Sequence, residues 1–161
     1  MLPIDTFKTV VENAPLFAID LVVINEECEI LVGKRLNAPA KDWWFVPGGR
    51  VLKDETMDTA FKRICELEIG SSYERGQAQL LGIYEHFYYD SFCCKNTSTH
   101  YVNATHSIQV DRNCLDLPRG EQHFNYRWVA ISDVEKDESI HNYSKIFMLQ
   151  LVERLNLKGY I

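Results

Sequence analysis

A glycine pair joins an aromatic-rich segment to an acidic helix start, and this junction constrains the chain more than any other short stretch. It reads WWFVPGGRVLKDET over residues 43–56. Glycine lets backbone approach a neighbour closely because it has no Cβ. A plain strand–turn–helix connection needs neither the glycine pair nor the arginine after it. The stretch therefore indicates a turn that holds a ligand, and not only a connection within the fold.

Length and charge limit what the rest of the chain can be. The chain has 161 residues, and a hydrophobic fraction of 46% and a charged fraction of 25% are typical of a globular protein. We expect a single domain over residues 1–161. The net charge of −6 argues against nucleic-acid binding through a general basic surface. It permits an anionic small ligand where basic residues gather locally.

The chain start and the cysteines favour a cytoplasmic protein without a membrane partner. Residues 1–10 have no basic flank and no long apolar run, so we predict no signal peptide. The longest apolar stretch, PLFAIDLVVI, is short and is interrupted by Asp20, so we predict no membrane span. The five cysteines are odd in number and form no C-x-x-C pair, which indicates reduced thiols. Adjacent cysteines at 93 and 94 rarely suit a tetrahedral zinc site.

Hydrophobic periodicity predicts an α/β (α+β) layered domain. The first helix runs from a cap at Asp5 to Asn13, and the second from about Glu55 to Ile69, capped by Asp54 and ended by Gly70. A hairpin joins LFAIDLVVI to EILVGKR, and WWFVPGG forms a third strand. The remaining predicted elements are strands at about 78–89, 99–110 and 125–130 and a last helix at about 142–155.

A spaced series of residues follows the glycine turn. Gly49 is followed by Glu55, Arg63, Glu68 and Gly70 at fixed intervals. The series resembles the Nudix box, G-x5-E-x7-R-E-U-x-E-E-x-G-U with U a bulky aliphatic residue. The strand before the turn and the helix after it also resemble that family. The resemblance implies a Nudix fold, with a mixed β-sheet sandwiched between helices.

The chemistry of diphosphate cleavage accounts for the residue types in this series. A diphosphate ester carries dense negative charge, so its cleavage needs a divalent cation and oxygen ligands that hold it. Glu68 and the carbonyl of Gly48 can supply such ligands, while Glu55 and Arg63 can brace the loop as an ion pair. For any one pair, the alternative is a solvated face of an amphipathic helix. That alternative does not account for the whole series together with the glycine pair.

The series departs from the Nudix box at two of its glutamates and at its last residue. Ile64 and Leu67 stand where the box has glutamates, and Ser71 replaces the last aliphatic residue. Two of the three carboxylates that most Nudix enzymes use for metals and for the general base are therefore missing. The chain has either lost this activity or moved the base to another segment.

The same departures are found in one branch, the GDP-mannose mannosyl hydrolases. The likeness extends over nearly the whole chain, through GKR, NAPA, WFVPGGRV, KDET, EHFYYDSF, THYV and EQHFNYRW. It implies hydrolysis of GDP-mannose or GDP-glucose to GDP and the free sugar. Water attacks C1 of the sugar, with inversion. The family also forms homodimers, so we expect one here.

The resemblance implies a role for each matching residue. Gly48, Glu68 and Gln122 would hold one Mg²⁺ per active site, with Mn²⁺ left open. His123 would be the general base, because an ordinary histidine pKa of ~6.5 lies near working pH. Asp20 would favour positive charge on the sugar. Arg35, Arg50 and Tyr101 would contact the substrate and stabilise the departing GDP. Phe7 and His86 are the other residues expected to contact substrate.

Simpler interpretations remain open at several of these positions. Asp20 could be a hydrogen-bonded core aspartate, His123 an exposed loop histidine and Tyr101 a packing residue. The aromatic run 84–92 fits a dimer contact or a sugar-pocket wall equally well. Two other functions also remain: a diphosphatase that attacks phosphorus and releases GMP and sugar phosphate, and a non-catalytic module that binds nucleotide sugars.

Overall fold

A computed structural model describes residues 3–93, 97–118 and 123–157. Alternation of apolar residues forms the strands, and apolar residues at helical spacing form the helices. Within these ranges no helix has both the length and the apolar character that a membrane crossing requires. The strands are β1 (Leu16–Ile24), β2 (Glu29–Arg35), β3 (Trp44–Phe45), β4 (Gly48–Arg50), β5 (Gln79–Tyr88), β6 (Thr99–Gln109) and β7 (His123–Ala130). The helices are α1 (Ile4–Asn13), α2 (Met57–Ile69), α3 (Ile131–Val134) and α4 (Met148–Arg154).

All seven strands belong to one mixed sheet. Its main order is β3-β2-β1-β6-β5, while β4 pairs with β1 and β7 pairs with β2. The β1–β6 pairing is parallel and the other pairings are antiparallel. The predicted hairpin between β1 and β2 is confirmed. Central β1 is buried along almost its whole length, so its polar residues lie inside the protein.

Helices cover both faces of this sheet, which confirms the predicted class. On one face, Phe61 and Ile64 of α2 pack in a core with Leu21. On the other face, Leu151 of α4 packs in a core with Val22. Successive residues of β1 therefore pack into two separate cores, as expected for a strand that is buried on both faces.

Two predicted helix caps are wrong. The first helix begins at Ile4 with Pro3 at its N-cap, so Asp5 lies inside the first turn and not at the cap. The second helix begins at Met57, because the Thr56 side chain accepts a hydrogen bond from the Thr59 backbone at 3.1 Å. Asp54 instead has a left-handed backbone, with φ 64°. Gly70 ends the helix in the left-handed conformation, as predicted.

The third strand and the last helix also differ from prediction. Pro47 interrupts the third strand and divides it into β3 and β4, because proline has no backbone N–H for the ladder. The last helix is reduced to a 3₁₀ turn at Asn142–Ser144 and the separate α4. The Ser144 hydroxyl is buried and accepts a hydrogen bond from the Val46 backbone at 3.1 Å. That contact fixes the turn against the sheet and separates it from α4.

Candidate active site

A small cleft of about 120 Å³ is lined by residues of β1, β2, β4, β5 and β6. It brings together residues that are far apart in the sequence. Its lining residues include Tyr88, which belongs to the aromatic run 84–92, and Asn103, for which no role was predicted. The predicted site residues that line it are Asp20, Arg35, Gly48, Arg50, His86 and Tyr101.

Strand register explains this grouping. Asp20 lies opposite Gly48 on β4 and opposite Thr105 on β6, and His86 lies opposite Tyr101. A Cβ on Gly48 would lie 2.6 Å from Asp20 Oδ1 and 2.7 Å from the Ile19 carbonyl oxygen, so only glycine fits there. The glycine turn therefore brings its backbone directly against the carboxylate.

Asp20 is an unusual carboxylate for the middle of a strand. Its side chain is only 7% exposed, and its Oδ2 has no hydrogen-bond partner within the described ranges. Burial raises its pKa from 3.8 to about 7, and the nearby Arg35 guanidinium offsets part of that rise. A buried oxygen without a partner is destabilising. This arrangement differs from that of a fully hydrogen-bonded core aspartate.

His86 is a neutral, fixed imidazole at the same cleft. Asn103 Nδ2 lies 2.8 Å from His86 Nδ1, and the ring stacks on Tyr143 with a centroid distance of 4.2 Å. Burial, together with His141, lowers the pKa of His86 to about 3. With Nδ2 as the donor to Nδ1, the neutral ring carries its proton on Nε2.

Unsatisfied polar atoms accumulate around this cleft. In addition to Asp20 Oδ2, the buried atoms His86 Nε2 and Asn103 Oδ1, both of residues that line the cleft, have no hydrogen-bond partner among the described residues. Buried polar side chains nearly always have a partner, either in the protein or in bound water. Donors and acceptors gathered around one cleft therefore indicate a site for a polar ligand.

Two arginines give the cleft its positive charge. Arg35 Nε donates to the Pro39 carbonyl at 2.9 Å, which fixes the direction of its guanidinium. The Arg50 guanidinium carbon lies 4.1 Å from the centroid of the Phe7 ring, within cation–π range. Tyr101 is half-buried, and burial raises the pKa of its hydroxyl, which therefore stays protonated and can donate. The cleft thus combines anion-binding groups with one carboxylate.

A family model for the Nudix domain matches residues 15–150. This chain belongs to the Nudix family. Nudix hydrolases generally use divalent metal cations and bind nucleotide substrates. The predicted Nudix family is therefore confirmed, and the GDP-mannose mannosyl hydrolase branch stays a prediction.

Similar proteins support the same family. The low-salt glycan biosynthesis protein Agl8 of Haloferax volcanii is 37% identical over 116 residues, which cover 72% of each chain. The MutT Nudix hydrolase of Burkholderia pseudomallei has a similar structure, with a TM-score of 0.69 at 23% identity over 86% of this chain and 99% of that chain. The MutT protein of Methanosarcina mazei Go1 has a TM-score of 0.71 at 19% identity over 91% and 99%. At these identities the structures show the fold alone.

The Nudix loop is tied to its helix by one arginine. Arg63 on α2 donates to both carboxylate oxygens of Glu55, at 2.7 and 2.8 Å. The same guanidinium donates to the Arg50 carbonyl at 2.9 Å, and Glu55 accepts from the Leu52 backbone at 2.9 Å. The hydrogen bond from Arg63 is the main cause that lowers the pKa of Glu55. These contacts differ from those of a solvated surface pair, because they join the helix to the strand that carries Arg50.

The residues predicted to hold a metal are only partly described. Glu68 lies on α2 and is 4% exposed, and Gly48 lies on β4. Gln122 lies outside the described residues, as does the side chain of His123, whose backbone begins β7 opposite Arg35. Within the described residues, no three histidine, cysteine or acidic side chains could hold a metal ion together. One carboxylate, one carbonyl and one amide form an oxygen donor set, which suits a hard divalent cation such as Mg²⁺.

The two-residue period of a β-strand could have indicated that Asn103 and Tyr88 line the cleft. Asn103 stands two positions after Tyr101, and Tyr88 stands two positions after His86. Side chains two apart on a strand point to the same face. Once Tyr101 and His86 are assigned to a site, the period of two predicts that their neighbours share it.

Proposed function

We propose that this Nudix protein hydrolyses a GDP-sugar, GDP-mannose or GDP-glucose, to GDP and the free sugar. Water attacks C1 of the sugar with inversion, and the C1–O bond breaks. The observation that carries the proposal is the buried Asp20 carboxylate, which shares a cleft with two arginines and has an oxygen without a partner. A carboxylate beside the sugar would stabilise the positive charge that develops at C1 when water attacks there.

The arginines and Tyr101 hold the leaving group. Guanidinium groups match phosphate oxygens because they offer two parallel N–H donors. Arg35 is fixed by Pro39, and Arg50 is held at its backbone carbonyl by Arg63. As the C1–O bond breaks, its electron pair passes to GDP, and these groups stabilise the additional negative charge. Donors that are already in position need little reorganisation in the transition state.

Asp20 acts on the other side of the breaking bond. The sugar becomes oxocarbenium-like as GDP departs, and a nearby carboxylate stabilises that positive charge. Burial raises the pKa of Asp20 to about 7 because it disfavours the charged carboxylate. A positive charge that develops beside Asp20 lowers that pKa again and favours the ionised form. The neutral His86 can donate from Nε2 to a substrate oxygen, since that atom has no partner among the described residues.

The base and the cation belong to different segments. His123 would take the proton from water, and its backbone position opposite Arg35 puts it on the strand next to the cleft. Gly48, Glu68 and Gln122 would hold one divalent cation, which neutralises charge on the departing diphosphate. In-line attack on phosphorus needs the nucleophile and the metals at one centre, whereas attack at C1 separates them. That separation is consistent with the loss of carboxylates at 64 and 67.

The relative in Haloferax volcanii agrees with a sugar-containing substrate. That protein is named for low-salt glycan biosynthesis. A nucleotide sugar is the activated form in which sugars enter glycans, so the likeness supports a nucleotide sugar as substrate over a simple nucleotide. We expect the protein to act in the cytoplasm, and as a homodimer. Sedimentation velocity at several concentrations tests the oligomeric state.

Hydrolysis in ¹⁸O-labelled water tests the proposal. We expect Mg²⁺-dependent release of free sugar from GDP-mannose or GDP-glucose, with the label in the sugar and none in phosphate. Label in a phosphate would instead establish a diphosphatase that produces GMP. Binding of the GDP-sugar without turnover, by a protein that keeps its native stability, would establish a non-catalytic module. A screen of several nucleotide sugars then identifies the preferred sugar and nucleoside.

A further inference from the structure

A second, larger cleft lies next to the catalytic one and has a volume of about 480 Å³. We call it the aromatic cleft. Tyr88 lines both clefts, so they are direct neighbours. The residues that define the aromatic cleft are Trp43, Phe87, Tyr88, Tyr89, His141 and Tyr143.

The rings of the aromatic cleft are held in place by the surrounding structure. The Tyr143 hydroxyl donates to the Phe87 carbonyl at 3.0 Å and accepts from the Phe87 backbone N–H at 2.8 Å. Trp43 packs edge-on against His141, with centroids 5.2 Å apart. The cleft therefore already has its shape without a ligand, which reduces the entropy lost on binding.

Several of these rings are open to solvent. Trp43 is 43% exposed, Phe87 58% and Tyr89 100%. A group of large aromatic side chains at the surface usually marks a binding site. The volume also falls within the ~300–1,000 Å³ that is typical of small-molecule pockets.

The polar residues of the aromatic cleft indicate which kind of ligand fits. Lys41, Asp90 and Asn142 line it beside the rings. One cation and one anion give no net charge, so a phosphate has no preference for this cleft. A saccharide ring has apolar C–H faces and a rim of hydroxyls. Aromatic rings pack on those faces, while the amide, carboxylate and ammonium groups hydrogen-bond to the rim.

We propose that the aromatic cleft is a saccharide-binding subsite outside the catalytic cleft. This proposal rests on the proposed function, because that function puts the sugar of the substrate on the His86 side of the catalytic cleft. A cleft of about 120 Å³ cannot contain a whole nucleotide sugar. Because His86 stacks on Tyr143, a sugar beside His86 lies one ring away from the aromatic cleft. The occupant is a pyranose ring, either attached to the transferred sugar or free.

Direct binding of saccharides tests this subsite without any turnover. The full chain is titrated with mannose, glucose and a mannose disaccharide, and binding is followed by tryptophan fluorescence and by saturation-transfer NMR. We expect quenching that saturates at millimolar concentrations, together with NMR transfer to the C–H protons of the saccharide. Trp43→Phe should abolish the quenching, and Trp43→Ala should weaken binding at least about tenfold. Trp128→Phe is the matched control, since Trp128 lies in the core on the α2 face.

The source of the ring follows from a second measurement. If the ring is part of the glycosyl group, the disaccharide binds more tightly than either monosaccharide, and Trp43→Ala raises KM only for a GDP-linked disaccharide. If the ring is a separate saccharide, monosaccharides bind as tightly as the disaccharide. Added monosaccharide then leaves the KM of GDP-mannose unchanged. Either result supports a saccharide subsite.

Two results would overturn the subsite. One is the absence of both quenching and NMR transfer with every saccharide in a folded wild-type protein. The other is self-association that shifts Trp43 emission on dilution, because a second copy of the chain would then cover the cleft. Neither result depends on hydrolysis of a GDP-sugar, so the proposed function can fail or hold independently.

Discussion

Replacement of Asp20 by asparagine should make the stability of the protein less dependent on pH. In the unfolded chain Asp20 ionises near its ordinary pKa of 3.8, whereas in the folded protein burial raises that pKa to about 7. Between these values the folded state keeps a proton that the unfolded state has released. The free energy of unfolding therefore falls as pH rises through this window.

The size of the effect follows from the shift. Each pH unit in the window removes about 1.4 kcal/mol, and the loss reaches about 4 kcal/mol once the pH exceeds 7. Below pH 3.8 both states carry the proton and the contribution of Asp20 disappears. Asparagine has a similar shape and no charge, so Asp20→Asn removes this dependence while any packing change adds only a constant offset.

Urea unfolding of the ligand-free protein at several pH values between about 4.5 and 8 measures the difference. We expect Asp20→Asn to become progressively more stable relative to the wild type as pH rises, by an amount that levels off above pH about 7. Asp116→Asn, at an exposed position, is the matched control and should show a constant difference. If the difference in unfolding free energy between Asp20→Asn and the wild type is also constant across pH, burial does not raise the pKa of Asp20, which refutes the prediction.

Three further predictions concern the general base His123, the glycine turn at Gly48 and the ion pair between Arg63 and Glu55. His123→Gln should lower kcat by roughly 10²–10⁴ with a smaller change in KM, as measured by GDP release; near-normal turnover would remove it as the base. Gly48→Ala should lower the free energy of unfolding by about 1–3 kcal/mol, because its Cβ would clash with backbone and carboxylate. Gly76→Ala has nothing within 4 Å of its Cβ and is the control. Arg63→Lys cannot keep both bonds to Glu55 and the carbonyl bond, so KM should rise several-fold in steady-state kinetics, whereas unchanged KM would mean that the brace does not position the cleft.

The sequence predicted the parts of the site that depend on spacing along the chain. Glycine, arginine and glutamate at fixed intervals indicated the turn and its helix, and alternation indicated the strands. The exact cap could not be predicted, because Asp54 and Thr56 both suit a helix start and only the fold shows which side chain reaches the Thr59 backbone.

Contacts between distant segments could not be predicted in the same way. The parallel pairing of β1 with β6 brings Thr105 opposite Asp20, and no local signal gives that register. The role of Asn103 depends on its contact with His86 on the neighbouring strand. Such contacts are fixed by the whole sheet and not by the neighbours of each residue.

The position of Asp20 at the centre of the sheet has a consequence for folding. Its two strand partners, Gly48 and Thr105, come from segments that are far apart along the chain. Long-range pairing requires closure of a large loop and forms slowly compared with local contacts. No fragment that ends before β6 can form the cleft. Ligand binding during refolding should therefore appear only when β6 is in register with β1, so that the appearance of binding records formation of this parallel pairing.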